Sequence, residues 1–175
     1  MKTIFLLIMT ISTISYGQNK VETKKPQLSI DSYVKSVDNL TLEAALEITK
    51  RVNQTANSLN KNISIAILDA SGTTILITRG DQVGPHNTEA SRRKAFTALS
   101  TKTPTLLLLR NADANPDTKN LNSLPELLLL SGGVPIWFKG NIIGSIGVSG
   151  GGSPENDDLI AKSATIPELG ITTTK

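Results

Sequence analysis

The sequence predicts an α+β fold: one antiparallel sheet with helices packed on it. Two pairs of short apolar runs are each joined by a turn signal. Residues 63–68 and 73–79 flank Asp69-Ala70-Ser71-Gly72, and residues 134–138 and 142–149 flank Lys139-Gly140-Asn141. Strands joined by turns this tight pair antiparallel. Before, between and after these pairs lie stretches with helical spacing or strong helix-start signals. The chain has 175 residues, which makes one domain the default. Aromatics are only 3%, so the core must be aliphatic.

Taken in order, residues 18–39 are polar and mixed, with Lys24-Lys25-Pro26, and read as a linker or arm. Thr41 caps a helix. Leu42, Ala45, Leu46, Thr49, Val52, Ala56 and Leu59 recur at three- and four-residue spacing and form one apolar stripe, ended by Asn60-Lys61-Asn62. In residues 63–68 both alternating faces are mostly apolar, so both are expected to be covered. Asp first and Gly last suit the 69–72 turn.

A helix follows Gly84-Pro85, with Asn87 or Thr88 as its expected cap. Its Ala90, Ala95, Ala98 and Leu99 are mostly small and allow close approach to a sheet. Pro104 ends it or opens a short helix over 106–109. Residues 111–125 read as a long polar loop.

Residues 127–130, 134–138 and 142–149 read as three more strands, bringing the total to five. Gly144 and Gly147, three apart, face opposite ways and mark close approach of a neighbour. Ser153-Pro154-Glu155 starts a last helix expected to reach about residue 165, and the rest reads as tail.

The N-terminus carries an address. Lys2 precedes an apolar run over 4–14, and Ser15-Tyr16-Gly17 puts small residues where a signal peptidase acts, so cleavage is expected before Gln18. The run is far short of the ~20 residues that span a bilayer, so no stable membrane insertion is expected. Without a cysteine there is no lipid attachment, and the expected location is periplasmic or secreted.

Charge and residue types exclude several functions. The net charge of +3 falls to +2 once Lys2 is removed, and no basic stripe is interleaved with aromatics, which argues against nucleic acid. The absence of cysteine removes thiolate catalysis, iron–sulfur ligation and CxxC zinc sites together. Gly147-Val148-Ser149-Gly150-Gly151 matches the nucleophile elbow G-x-S-x-G, but that fold needs its histidine after the serine, and His86 precedes it. Gly150-Gly151-Gly152 lacks the Gly-Lys-Ser/Thr of a phosphate loop.

The stretch 84–104 holds the only histidine, His86, and the triplet Arg92, Arg93, Lys94 within two helical turns. An imidazole at a loop-to-helix junction, with cations behind it, suits an anionic ligand. One histidine cannot build a zinc site, but it can serve heme iron as a single axial ligand. Successive helical residues diverge, so at most one or two of the cations can share a pocket with it.

From about residue 40 to 150 the chain resembles the HbpS/GlcG-type heme-binding family, also called heme-degrading, related to the C-terminal domain of PduO-like proteins. The resemblance rests on Ser64-Ile-Ala-Ile-Leu-Asp-Ala-Ser-Gly72, Ala90-Ser-Arg-Arg-Lys-Ala-Phe-Thr-Ala98, Gly132-Gly-Val-Pro-Ile136 and Ile143-Gly-Ser-Ile-Gly-Val-Ser-Gly150. It implies a profilin-like sandwich, with five antiparallel strands and helices on both faces. It also implies a homo-oligomer that binds heme or a corrinoid, with histidine or threonine on the metal. Carried to this chain, the tetrapyrrole contacts are His86, Thr88, Arg92 and Arg93. His86 is the axial ligand and an arginine pairs with the propionates. A small-molecule enzyme of the same family, or an oligomeric scaffold without a ligand, is the alternative.

Overall fold

The computed structural model describes residues 29–175. The expected signal segment, and the arm up to residue 28, lie outside the described residues. The chain forms two units, divided after Lys35. In the first, the described residues make one 3-10 turn, Ile30–Ser32. The second carries the fold.

Its elements are α1 Leu42–Ser58, β1 Ser64–Asp69, β2 Thr74–Arg79, α2 His86–Thr101, α3 Thr105–Ala114, α4 Pro116–Lys119, β3 Gly133–Phe138, β4 Asn141–Ser149, α5 Pro154–Lys162 and β5 Ile171–Thr172. The five strands form one sheet in the order β2-β1-β4-β3-β5, every pair antiparallel. The α+β architecture expected from the sequence is the one observed.

Residues facing the two sides of the sheet sort the helices. Ile65, Ile67, Val134, Ile136, Ile146 and Val148 point into an apolar cluster with Ala45, Ile48 and Val52 of α1 and Ile160 and Ala161 of α5. Each fully buried Ile or Val there contributes roughly 1.5–3 kcal/mol. The other face, where Ser64, Ala66, Ser145 and Gly147 are small and buried, receives α2. A Cβ on Gly147 would lie 1.9 Å from the Ser91 carbonyl oxygen, and one on Gly133 would lie 2.2 Å from that of Lys94. The helix backbone therefore rests directly on two glycines. Helices cover both faces.

Caps agree with the sequence at two helices: Thr41 Oγ1 accepts from Ala44 N at 3.2 Å, and Ser153 Oγ from Asn156 N at 3.1 Å. In α1, however, Leu42 and Leu46 are exposed and Ile48 is buried, so the buried stripe is rotated from the expected one. α5 stops at Lys162, short of the expected end near residue 165.

The strand expected over 127–130 does not form. Those leucines run along α2, held by Leu128 N to Thr97 Oγ1 at 2.8 Å and by Arg93 Nη2 to the Pro125 and Leu127 carbonyls. The place beside β3 is taken instead by β5, in the presumed tail, where Trp137 pairs with Thr172 and Phe138 with Ile171. The expected 111–125 loop is largely helical, holding the end of α3, α4 and a 3-10 turn at Asn120–Ser123.

Candidate functional site

α2 begins two to three residues earlier than the sequence suggests. His86 is its first residue and Pro85 its cap, so neither Asn87 nor Thr88 caps it. The N–H groups of Asn87 and Thr88 donate back to the Gly84 and Pro85 carbonyls at 3.0 and 3.2 Å. These two donors are therefore not free for an anion. His86 itself is exposed. A Cβ on Gly84 would lie 2.9 Å from its Cε1 and 3.0 Å from its Nδ1. The Nδ1–Cε1 edge thus lies over Gly84, and Nε2 is the nitrogen turned away from it. Thr88 is half-buried, and its carbonyl accepts from Ser91 Oγ at 2.9 Å.

The three cations behind His86 have separate partners. Arg92 holds Glu89 with two bonds, of 2.7 and 3.0 Å, and Glu126 with one of 2.9 Å. Those bonds hold the Glu89 carboxyl below the usual carboxylate range, against partial burial. Arg93 donates to the Pro125 and Leu127 carbonyls at 2.8 and 2.7 Å. Both arginines therefore fasten the 125–127 segment to α2.

Lys94 is not on a solvated face: it is 3% exposed. Its ammonium donates to Asp157 Oδ2 at 2.8 Å, to the Val148 carbonyl at 2.9 Å and to Ser149 Oγ at 3.2 Å. Its three protons are all used. Asp157 Oδ1 accepts from Gly151 N at 2.7 Å, so the glycine run serves α5 rather than a phosphate. Ser149 Oγ donates to Asn87 Oδ1 at 2.8 Å. The elbow serine is buried inside this network with no histidine on it, so it is not a nucleophile.

A groove of about 990 Å³ opens elsewhere. Leu40, Leu46, Phe138, Ile143, Ile166 and Leu169 supply its apolar walls. Four carboxylates (Asp38, Glu43, Glu47, Glu168) and two cations (Lys50, Arg51) stand at its rim. Arg51 is occupied by Glu168 and by Glu47, the latter at 2.7 Å. None of His86, Thr88, Arg92 or Arg93 lines this groove. Ile143, in the groove, and Ser149, beside Asn87, are six residues apart on β4, about 20 Å along an extended strand. Sequence reasoning missed the groove, because Leu46, one of its walls, read as part of the buried stripe of α1 and is exposed in the structure. Among the described residues no three His, Cys, Asp or Glu side chains cluster to hold a metal ion, and no helix is long and apolar enough to cross a membrane.

Comparison with known proteins gives a consistent picture. The structure of a Streptomyces reticuli HbpS double mutant superposes with a TM-score of 0.71 at 31% identity, covering 81% of this chain and 94% of that one. The structure of a PduOC–heme complex superposes with a TM-score of 0.67 at 27% identity, covering 78% of this chain and 99% of that one. The corrinoid adenosyltransferase PduO of Citrobacter freundii is 29% identical over 128 residues, 72% of this chain but only 38% of its own length. The family described as Haem degrading protein HbpS-like matches residues 40–165, nearly the whole folded unit. On its strands, its glycine-seated α2 and this match together, the chain belongs to the HbpS-like family.

Proposed function

We propose that this chain is an exported heme-binding protein that takes the iron through His86. The observation that carries the reading is the likeness to PduOC, a protein solved with heme, over 99% of that chain. Elimination supports the ligand. Proteins hold heme iron through His, Cys, Met or Tyr. This chain has no cysteine, its methionines are Met1 and Met9, and its tyrosines are Tyr16 and Tyr33. Within the family segment 40–165 His86 is the one side chain of these four types; a threonine, the other donor the resemblance implies, is the alternative ligand. The groove offers none of these donors, and its four acids would repel the propionates. Corrinoid chemistry belongs to full-length PduO, of which the chain matches a minor part.

The exposed first turn of α2 gives heme one face to rest on, so a second copy closes the other and the working form is a homo-oligomer. Arg92 meets a propionate by releasing Glu126 while keeping Glu89, and Thr88 stands beside the ring. With its leader removed, the protein stores, scavenges or senses heme outside the cytoplasm.

The test is a hemin titration of purified protein followed at the Soret band. His86→Ala should shift the band and weaken binding by at least about tenfold, since the axial bond is lost. An identical titration removes His86 from the site. For export, sequencing of the mature N-terminus should start at Gln18; a retained leader overturns that part.

A further inference from the structure

The polar network beneath α2 has a direction. Lys94 can only donate, and its three protons go to Val148, Asp157 and Ser149. Ser149 Oγ therefore accepts from Lys94 and gives its own single proton to Asn87 Oδ1. Asn87 is the residue after His86. Buried charge at one end is thus linked, through one hydroxyl, to the turn that presents the imidazole.

The first turn of α2 has little else to hold it. Pro85, His86 and Glu89 are exposed, and Asn87, Thr88 and Ala90 are half-buried. No side chain caps it. Its ties to the sheet are polar: Asn87 to Ser149, and the Thr88 carbonyl to Ser91, which also meets Ser64 at 3.2 Å. The far end of the network is rigid, because Asp157 also binds Gly151 N while Asn156 Nδ2 donates to the Gly151 carbonyl at 2.9 Å.

We propose that Asn87 and Ser149 are positioning residues, which transmit the fixed geometry of the buried Lys94–Asp157 pair to the His86 imidazole. This rests on the heme reading above. A free turn would spend part of the iron-binding energy on ordering itself; a tethered turn does not. The acceptor on Asn87 is what matters, and its amide protons are not required.

The experiment is a hemin titration of full-length protein with three single variants and one double. Asn87→Ala should weaken binding by about tenfold, the worth of one hydrogen bond to a buried donor, and broaden the Soret band. Asn87→Asp, which keeps the acceptor, should restore near wild-type affinity. In a His86→Ala background, Asn87→Ala should change nothing further. Thermal unfolding of each variant checks that the fold persists. If Asn87→Ala titrates like wild type while His86→Ala weakens binding, the positioning role is overturned and the heme reading stands. If Asn87→Ala weakens binding equally without His86, or Asn87→Asp fails to restore it, the role is structural and the proposal falls. If His86→Ala has no effect, the heme ligand itself is wrong and the positioning role falls with it.

Discussion

Gly147 sits where the fold has no room for any side chain. A Cβ there would lie 1.9 Å from the Ser91 oxygen and 2.7 Å from the Ala95 nitrogen, both α2 backbone. Backbone cannot rotate aside, so Gly147→Ala must push the helix off the sheet. Chemical denaturation should show a loss of about 3 kcal/mol or more, the upper range of overpacking. The strand position of this glycine, and its sign of close approach, were legible in the sequence. Lys94 was not. Beside two arginines it reads as one more solvated cation, and its partner Asp157 stands 63 residues away. No local pattern announces a pair made by tertiary contact. Lys94→Ala leaves Asp157 buried and uncompensated, so it should cost about 3–5 kcal/mol. Lys94→Met combined with Asp157→Leu should cost less than the two single changes summed, because no lone charge remains. An additive cycle in urea unfolding would show that the two groups do not act as a pair.

At the scale of elements, the turn between β1 and β2 is the most completely determined. Asp69 Oδ1 accepts from Ser71 N at 2.8 Å, Thr73 N at 2.9 Å and Ser71 Oγ at 2.6 Å, while Gly72 takes φ +86. Burial opposes the Asp69 charge, but hydrogen bonds from Ser71 and Thr73 outweigh it and hold its carboxyl below the ordinary value. A carboxyl depressed in the folded state adds stability above its unfolded value of about 3.9. That stability is lost as pH falls through the lower folded value. Asp69→Asn should therefore flatten the acid limb of a stability–pH profile and lower stability near neutrality by about 1 kcal/mol. An unchanged acid limb would show that the turn does not titrate with folding. This hairpin was legible because Asp, Ser and Gly act within their own four residues. The strand expected over 127–130 failed for the opposite reason. Four leucines suit a strand or a layer over a helix equally well, and Thr97 and Arg93 decide for the helix. β5 is two residues long and pairs only because Trp137 and Phe138 present an open edge. Nothing within Ile171–Thr172 itself forecasts that.

For the whole molecule, the sheet separates two kinds of surface. Its groove end carries an apolar floor under an acidic rim, while Ser149, about 20 Å along β4 from Ile143, meets Asn87, the neighbour of His86. The fold class and the imidazole's place at a loop-to-helix junction were readable from the chain. The separation was not, because it depends on how β4 threads between β1 and β3. If His86 holds the iron as proposed, one copy covers one face of the macrocycle and leaves the other in water. Burying it against a second copy adds apolar contact that a lone chain lacks. Heme affinity should then depend on protein concentration, weakening as the protein is diluted below its self-association range. Native mass spectra should show heme on species of two or more copies and not on the single chain. With free hemin at about 100 times the dissociation constant, binding should stabilise the fold by about 2.7 kcal/mol. For a unit of this size that raises the unfolding midpoint by roughly 5–10 °C. Heme retained on isolated single chains, with a midpoint shift independent of protein concentration, would show that one copy encloses the ring by itself. The exposed first turn of α2 would then have to close over it.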